Sequence, residues 1–329
     1  MSHESTPIGL KISSRVWNQE HNLPLLIEPE SPSDTEGLIA WWRENRPWLD
    51  GKLSEHGAVL FRGFGIDSQA RLRQVSAATS GQLLDYVDGN SPRTKMEAGV
   101  YTSTEYPPEY FISMHNELSY ARRWPSRLNF CCVTPPATGG ETPLADSRRI
   151  LRELRPEIVD EFRRKGVKYI RNLHGGAGFG PSWQKTFETD ERALAEKFIQ
   201  DSGMNAEWQP DGSLRITSVR PATTVHPVTG EEVWFNQADQ FHPSTHQREV
   251  YESLLVMYQG REDQLPQHAT FGDGTPLEES MLDEIRETIR RCLVLSPWQQ
   301  GDLVVVDNVL VCHGRMPFTG PRKILVTMA

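Results

Sequence analysis

The chain has 329 residues, of which 35 are basic and 44 acidic, and its formal net charge is −9. An excess of acidic side chains repels phosphate backbones, so nucleic acid is excluded as an expected partner. No apolar run approaches the roughly 20 residues needed to cross a bilayer. The first ten residues carry no signal-peptide pattern, so we expect a cytoplasmic protein without a membrane partner.

Hydrophobic residues make up 37% of the chain and charged residues 24%, which is the balance of a globular protein. The four cysteines show no CxxC spacing, so no zinc ribbon is predicted, and we expect reduced, mostly buried thiols. Evenly spread glycine and proline suit short strands joined by turns. Since no repeat or long linker is present, we expect a single domain over residues 1–329.

The first part of the chain predicts helices that flank a sheet. Ser33-Asp34 can cap a helix that should end before the turn Glu55-His56-Gly57. Residues 58–63 form an apolar run typical of a buried strand. Asp67-Ser68 then caps a second helix that continues through about Thr79.

Beyond residue 110, short apolar runs bounded by turn residues predict a series of strands. These are Phe111–Leu118, Arg127–Val133, Thr142–Ala145, Val167–Leu173, Leu214–Val219, Val233–Gln237, Leu303–Val306, Val309–His313 and Lys323–Thr327. Helical patterns occur at Asp146–Leu154, Pro156–Lys165, Asp190–Asp201, Gln247–Gln259 and Leu277–Arg291. The order predicts a mainly β fold, an antiparallel core with helical insertions of the jelly-roll kind.

The strongest chemical signal is the segment Met114-His115-Asn116-Glu117. In a strand, residues two apart point to one face, so His115 and Glu117 would present an imidazole and a carboxylate side by side. With a second histidine, such a pair forms the facial triad of non-haem iron(II) oxygenases, which leaves positions open for a co-substrate and O2. Alone the pair is weak evidence, because ten histidines and 44 acidic residues produce roughly one such pair by chance.

The carboxyl-terminal region supplies the other parts of such a site. His313 ends an apolar strand, and the following turn brings Arg322 back beside it. Arginine binds a carboxylate through two parallel hydrogen bonds, as the far carboxylate of a 2-oxo acid requires. Upstream, Gly139-Gly140 allows a tight turn, and the hydroxyl of Thr142 could donate to the same carboxylate. Taken singly, these features equally fit a core histidine, a surface arginine and an ordinary turn.

Together, the motifs resemble the taurine dioxygenase superfamily of Fe(II)- and 2-oxoglutarate-dependent enzymes. The carboxylate of the His-x-Glu pair is similar to that of the clavaminate-synthase-like branch, where Glu replaces Asp. The resemblance extends over nearly the whole chain, in the segments Glu55–Gly63, His115–Glu117, Gly139–Thr142, Trp234–Gln237, Thr270–Leu277 and Gly301–Arg322.

This resemblance implies a double-stranded β-helix core and a 2-oxoglutarate-dependent dioxygenase. It implies His115, Glu117 and His313 as iron ligands, and Thr142 and Arg322 as the residues that hold the distal carboxylate of 2-oxoglutarate. Halogenating relatives carry Ala or Gly at the carboxylate position, so Glu117 favours hydroxylation. Relatives often oxidise amino acids, free or tethered to a carrier protein in natural-product assembly. We therefore expect a small polar, amino-acid-like substrate and hydroxylation of an unactivated C–H bond.

Candidates for substrate contact follow from alternation and position. Trp234 and Asn236 share one face of the predicted strand Val233–Gln237, which could line the pocket, although an aromatic side chain there also suits sheet packing. Arg315 could bind a substrate carboxylate or support an acidic neighbour. Arg122 could line a lid over the iron or lie solvated at the surface.

Several alternatives stay open. The same chemistry serves desaturases and cyclases, and from another class the chain could be a catalytically silent β-barrel that binds a small molecule or a structural metal. The loops Asn90–Thr94 and Thr102–Pro108 are candidates for the pocket entrance. The sequence leaves open the substrate's identity and whether the chain forms a homo-oligomer.

One further histidine pair is set aside at this stage. His242-Pro-Ser-Thr-His246 has the i,i+4 spacing of two ligands on a helix. Pro243 follows the first histidine, however, and the glutamate of a zinc-protease motif is absent. The local spacing therefore predicts no metal role for this pair.

Overall fold

A computed structural model describes residues 9–85, 88, 93–97 and 99–329 of the chain. The strands in these ranges are β1 Ile12–Asn18, β2 Leu23–Pro29, β3 Ala58–Phe61, β4 Lys95–Glu97, β5 Val100–Thr102, β6 Ile112–His115, β7 Arg127–Thr134, β8 Thr138–Gly139, β9 Leu144–Asp146, β10 Val167–Leu173, β11 Asn205–Trp208, β12 Leu214–Arg220, β13 Thr223–Val225, β14 Glu232–Trp234, β15 Gln267–Phe271, β16 Leu303–Asp307, β17 Val311–Arg315, β18 Phe318–Thr319 and β19 Lys323–Met328. The helices are α1 Thr35–Glu44, α2 Arg46–His56, α3 Gln69–Thr79, α4 Ser147–Glu153, α5 Pro156–Lys165, α6 Trp183–Phe187, α7 Arg192–Asp201, α8 Ala238–Phe241, α9 Arg248–Met257 and α10 Glu279–Arg291, with 3-10 turns at Pro243–Thr245 and Glu262–Gln264.

The main sheet has eight strands in the order β1-β2-β3-β16-β7-β19-β5-β4. Its neighbouring strands run antiparallel except for β2 and β3. The late strand β16 lies between two earlier ones, with Leu303 opposite Phe61 on β3 and opposite Cys131 on β7. Strands from both ends of the chain therefore alternate within one layer.

A smaller sheet, β6-β17-β9, forms the second layer and carries the predicted metal ligands. The largest apolar cluster contains residues of both sheets, among them Met114 of β6, Phe130 of β7 and Val311 of β17. The ring of Phe130 lies 5.0 Å from that of His313. Two sheets packed on a shared core form the predicted jelly roll, and the mainly β fold with flanking helices is confirmed.

Helices α1 to α3 cover the outer face of the main sheet, as their apolar residues require. Trp42 of α1 stacks on Phe61 of β3 with ring centres 5.1 Å apart. Asp34 caps α1 by accepting a hydrogen bond from the backbone of Gly37 at 2.9 Å. The single helix predicted here is in fact two, since α1 ends at residue 44 and α2 begins at residue 46.

A third sheet, β11-β12-β10-β15, packs beside the jelly roll and supports the elements around the metal ligands. Strand β15 contacts α8, and α8 in turn packs against α10. Gln240 of α8 and Gln267 of β15 line the cavity described below. No helix among the described residues combines the length and apolar character that crossing a lipid bilayer requires.

Two predicted strands end earlier than alternation suggests. Phe111–Leu118 is a strand only as far as His115, and Leu118 adopts a left-handed φ of 57°. Val233–Gln237 is a strand only as far as Trp234, since Asn236 accepts a hydrogen bond from the backbone of Ala238 at 3.1 Å and so starts α8. In both places the chain turns where alternation predicted further strand residues.

The four cysteines are buried and unpaired, as predicted for reduced thiols. Burial raises the pKa of each thiol, to about 12 for Cys132 and Cys292 and further for the other two. A thiol with so high a pKa is a poor nucleophile, so these side chains act in packing.

Candidate metal centre and its cavities

The two candidate histidine ligands are brought together by strand pairing. Strands β6 and β17 run antiparallel with His115 directly opposite His313, and the two imidazole rings lie 4.5 Å apart. Directly opposed residues of an antiparallel pair have their side chains on one face and close together. The close approach of these strands requires glycine at position 314, because a Cβ there would lie 2.4 Å from the carbonyl oxygen of Ile112.

Glu117 lies in the turn after β6, so its position does not come from strand alternation. Its backbone N–H donates to Oδ1 of Asn308 at 2.7 Å, and Nδ2 of Asn308 donates back to the Glu117 carbonyl at 3.0 Å. The same Nδ2 donates to the carbonyl of Pro125, and Asn116 donates to the carbonyl of Asn308. A fully buried amide from the start of the β17 hairpin therefore holds the carboxylate-bearing turn in place.

The ligand atoms of His115, Glu117 and His313 all lie within 4.8 Å of one another, and all three residues are buried. Nε2 of His313 is 3.9 Å from Oε2 of Glu117. The Nδ1 atom of His115 lies 2.8 Å from the carbonyl of Ser113, to which an Nδ1–H would donate, leaving Nε2 free to bind a metal.

The electrostatics suit a metal ion. Burial lowers the pKa of His115, against the opposing charge of Glu117. Burial also lowers the pKa of His313 well below its usual value, and His115 and Arg93 add to the effect. Neutral imidazoles are the form that binds metal, and two of them with one carboxylate match the donor set of a non-haem iron(II) site.

Arg93 lies directly against this donor set. Its buried guanidinium donates to Oε2 of Glu117 and forms an ion pair with it. Arg93 also lines the narrow cleft next to His115, described below. The Glu117 carboxylate is therefore already paired with a positive charge. From the sequence, Arg93 was named only as part of the loop Asn90–Thr94. Of that loop, residues 90–92 lie outside the described ranges.

On one side of His115 lies the cleft that contains Thr142 and Arg322. The Arg322 guanidinium donates to the carbonyl of Gly140 at 2.9 Å and to the hydroxyl of Ser103 at 3.0 Å. Burial lowers the pKa of Arg322 to about 10, and it forms no salt bridge with any described residue. A buried guanidinium without a carboxylate partner, beside a threonine hydroxyl, can bind an anionic ligand.

On the other side of His115 lies a more open cavity of about 470 Å³. His115 and Glu117 form part of its floor. Apart from Glu117, its described lining is uncharged and consists of hydroxyl, amide, imidazole and apolar groups: Tyr106, Tyr110, Phe111, Ile112, Ser113, Tyr120, Gln237, Gln240, Thr245, His246, Gln247, Val250 and Gln267. The ligand cluster thus lies between a small cleft that contains Arg322 and Thr142 and a larger cavity with both polar and apolar lining groups.

The structure brings together the five residues predicted for metal and co-substrate, but none of the four predicted for substrate lines the cavity. Trp234 packs on Phe162 in the core, and Asn236 donates to the carbonyl of Ala222 at 2.8 Å. Arg122 lines a separate cavity of about 660 Å³ beside Trp124.

Arg315 lies in the cleft, yet its guanidinium donates to four backbone carbonyls of one loop, those of Thr104, Tyr106, Pro107 and Tyr110. That loop overlaps the predicted entrance Thr102–Pro108, and its Tyr106 does line the cavity. Arg315 therefore fixes the backbone of this loop, which forms part of the cavity wall.

Two amides line the cavity: Gln237, at the end of the strand predicted to face the pocket, and Gln240, which sequence reasoning missed. Nε2 of Gln237 donates to the carbonyl of Asn116 at 2.9 Å, and Nε2 of Gln240 donates to that of Met114 at 2.6 Å. The carbonyls belong to the segment that carries His115. The spacing of the two glutamines by three residues on a short helix was the available signal.

Comparison with known proteins agrees with this geometry. Residues 22–328 match the model of the family described as taurine catabolism dioxygenase TauD, TfdA family. The chain is 38% identical over 280 residues to the dapdiamide synthesis protein DdaC of Enterobacter agglomerans, covering 85% of this chain and 84% of that protein. It is 34% identical over 297 residues to a clavaminate synthase-like protein of Arabidopsis thaliana, covering 87% and 85%.

A solved structure shares the fold at low identity. It is that of PvcB, described as an Fe, alpha-ketoglutarate dependent oxygenase from an isonitrile synthetic pathway. The TM-score is 0.53 and the identity 16%, with 100% of this chain and 93% of that one covered. The family match and the two curated relatives cover most of the chain. The chain therefore belongs to the TauD/TfdA family and is an Fe(II)- and 2-oxoglutarate-dependent dioxygenase.

Proposed function

We propose that the chain hydroxylates an unactivated C–H bond of a small amino acid or amino-acid derivative in a biosynthetic pathway. His115, Glu117 and His313 hold Fe(II), and Arg322 with Thr142 holds the distal carboxylate of 2-oxoglutarate. The observation that carries the proposal is the position of His115, which borders both the cleft with Arg322 and Thr142 and the larger cavity. One metal between two compartments allows co-substrate and substrate to be present together.

The bound iron and 2-oxoglutarate supply the oxidising chemistry, and the protein supplies binding and orientation. Arg322 and Thr142 fix one end of the co-substrate, while the buried triad holds its ligand atoms within 4.8 Å of one another. Surrounding side chains limit the access of water to the ligand cluster, since all three ligands are less than one-tenth exposed. The carboxylate at position 117 occupies the place a halide ligand would need, which supports hydroxylation.

Polar groups in the cavity lining support a substrate that carries polar groups. Tyrosine, glutamine and threonine groups offer hydrogen bonds without a fixed charge other than that of Glu117. A zwitterionic or amide-bearing molecule can form such bonds without leaving a buried charge unpaired. Similarity to a dapdiamide synthesis protein supports a role in natural-product assembly.

A more specific form of the proposal is that the amino-acid substrate is bound to a carrier protein. The rim of the cavity carries exposed apolar groups, with Tyr106 43%, Tyr110 54% and Val250 45% exposed. Exposed apolar patches beside a catalytic cavity suit a docking protein. Turnover of a carrier-bound amino acid, with none of the free one, would support this form.

The test begins without oxygen. Wild-type protein given Fe(II) and 2-oxoglutarate should develop a visible charge-transfer band. After O2 is admitted, it should release succinate in proportion to product when free and carrier-bound amino acids are screened. His313→Ala and Glu117→Ala should lose both the band and succinate release, because each removes an iron ligand.

The matched control is His174→Ala, since His174 lines neither the cleft nor the cavity and should leave both signals intact. Full activity in either ligand variant would contradict the ligand assignment. A band with no amino-acid substrate turned over would contradict the substrate class alone. A desaturated or cyclised product would contradict hydroxylation and leave the ligand set standing.

A further inference from the structure

Three arginine side chains of the described chain line the cleft beside the ligand cluster: Arg93, Arg315 and Arg322. Arg315 donates to four backbone carbonyls, so its guanidinium holds the 104–110 loop. Arg322 is the cation proposed for the distal carboxylate of 2-oxoglutarate. Arg93 differs from both, because it forms an ion pair with a candidate metal ligand, Glu117. Its role in the site is therefore a separate question.

The ion pair between Arg93 and Glu117 is shielded from solvent. The exposed fraction of the side chain is 3% for Arg93 and 4% for Glu117. Nη2 of Arg93 donates to Oε2 of Glu117, and the same oxygen lies 3.9 Å from Nε2 of His313. Charges interact more strongly in a buried place than in water. The guanidinium thus acts on the carboxylate oxygen that faces the second histidine ligand.

Hydrogen bonds of the next residue hold Arg93 in this position. The backbone N–H of Thr94 donates to Oγ1 of Thr102 at 2.9 Å, and the carbonyl of Thr94 accepts from the N–H of Thr102 at 3.0 Å. The hydroxyls of both threonines donate to the carboxylate of Glu105, at 3.1 and 2.9 Å. Glu105 belongs to the loop that Arg315 holds. The segment carrying Arg93 is therefore fixed to a wall of the site.

We propose that Arg93 is a positioning residue that weakens the binding of a divalent cation alone and strengthens the binding of 2-oxoglutarate to the metal-loaded protein. This inference rests on the proposed function, since it takes the ligands and the cleft as assigned there. A guanidinium on Glu117 competes with the metal for the carboxylate and repels the cation. 2-Oxoglutarate carries two carboxylates, and the cleft offers Arg322 for one and the charge of Arg93, at the ligand cluster, for the other.

The two effects have opposite signs, and this separates a role of charge from a purely structural one. If Arg93 only held Glu117 in place, its loss would misdirect a ligand and weaken metal and co-substrate alike. If its charge matters, the loss strengthens the binding of the cation and weakens that of the anion. The intact protein then retains its metal best when 2-oxoglutarate is also present.

The experiment measures two affinities of the full chain, and neither depends on turnover. Mn²⁺ is the metal probe, and the electron paramagnetic resonance signal of the free ion reports how much is bound. Calorimetry gives the affinity of the Mn²⁺-loaded protein for 2-oxoglutarate. Arg93→Gln should bind Mn²⁺ roughly threefold more tightly and 2-oxoglutarate roughly tenfold more weakly. Arg93→Lys keeps the charge and should lie close to wild type in both affinities.

Arg62→Gln is the matched control, because Arg62 also forms an ion pair with a buried carboxylate, that of Asp302, and lines neither the cleft nor the cavity. It should lose stability and keep both affinities. Weaker binding of both probes by Arg93→Gln would overturn the inference, as would two unchanged affinities.

Arg93→Gln leaves a buried carboxylate without its cation, which could unfold the metal-free protein. In that case Mn²⁺ should restore the fold, because the bound ion replaces the missing charge beside Glu117. No restoration by Mn²⁺ would overturn the inference. Wild-type protein that binds neither Mn²⁺ nor 2-oxoglutarate would contradict the proposed function and this inference with it, whereas the outcomes in Arg93→Gln leave the ligand assignment standing.

Discussion

The buried side chain of Asn308 forms hydrogen bonds with backbone groups of Glu117 and Pro125. Its amide contacts both backbone groups of Glu117 and the carbonyl of Pro125, at distances of 2.7–3.0 Å. Glu117 has no strand partner to hold it, since β6 ends two residues earlier. The direction of the carboxylate therefore depends on an amide that is 191 residues away in sequence.

Replacing Asn308 by Asp should weaken both fold and iron binding. The carboxylate cannot donate, so two buried carbonyls lose their partner, which costs about 2–4 kcal/mol of unfolding free energy. Urea unfolding and anaerobic Fe(II) titration measure the two effects. Asn129→Asp is the control, because Asn129 is equally buried in the main sheet and donates to Thr327, away from the metal ligands. It should lose stability but retain iron affinity, and wild-type iron affinity in Asn308→Asp would contradict the role given to Asn308.

Arg322→Gln should act on the co-substrate. Loss of charge-assisted hydrogen bonds worth about 1.5–3 kcal/mol raises the KM for 2-oxoglutarate roughly 10- to 100-fold. Arg322→Lys should lie between, since it keeps the charge without the planar fork. Steady-state kinetics with each substrate varied separately measure this, with the exposed Arg261→Gln as control. An unchanged KM for 2-oxoglutarate would place the carboxylate elsewhere.

At the scale of elements, the sequence located strands better than it located their ends. Strand β6 and strand β14 were both predicted, but each is followed by a turn instead of three more strand residues. The causes are the distant amide of Asn308 and the local hydrogen bond that Asn236 accepts from the Ala238 N–H, which alternation cannot detect. Trp234 and Asn236 were therefore paired on a face that does not exist. Gln237 reaches the cavity because the chain turns into α8 at that point.

Helix α8 contains a buried acid whose effect on stability depends on pH. Burial raises the pKa of Asp239 to about 6, against the opposing charge of Arg286. The folded state therefore holds this proton more tightly than the unfolded state. Its contribution to stability is fully present below the ordinary value of 3.8 and is lost as pH rises through about 6.

Asp239→Asn should consequently be more stable than wild type at alkaline pH and nearly equal to it in acid. Relative to about pH 4, the gain at about pH 8 should be about 2–3 kcal/mol, at about 1.4 kcal/mol per unit of pKa. Urea unfolding across this range measures it. The exposed Asp190→Asn should show no such slope. A difference between Asp239→Asn and wild type that stays constant with pH would contradict the buried charge as its cause.

At the scale of the molecule, the motif order and the resemblance to a family predicted the jelly roll and the ligand set. The residues alone could not show that His115 and His313 face each other, because strand register is a property of the folded sheet. Strands β1 and β2 were not predicted at all. The first is half-exposed with successive polar residues, and the second contains Pro24, which hides it from pattern analysis.

One domain over residues 1–329 stays a prediction, and the pairing within the main sheet provides a way to test it. Because β16 pairs with β3 and β7, and β19 pairs with β7 and β5, neither end of the chain has a complete sheet without the other. We expect one cooperative unfolding transition. Tryptophan fluorescence and far-UV circular dichroism should give the same midpoint in urea. Two separated transitions would indicate independently folding parts.

The four hydrogen bonds from Arg315 to loop carbonyls have a consequence for how the loop sequence can evolve. Every amino acid offers a carbonyl, so the path of the 104–110 loop is insensitive to which side chains the loop carries. Aromatic residues such as Tyr106 and Tyr110 can then be replaced during evolution without changing the loop backbone or the residues proposed to hold iron and co-substrate. The hydrogen bonds of Arg315 thus separate the path of this loop from the identity of its side chains.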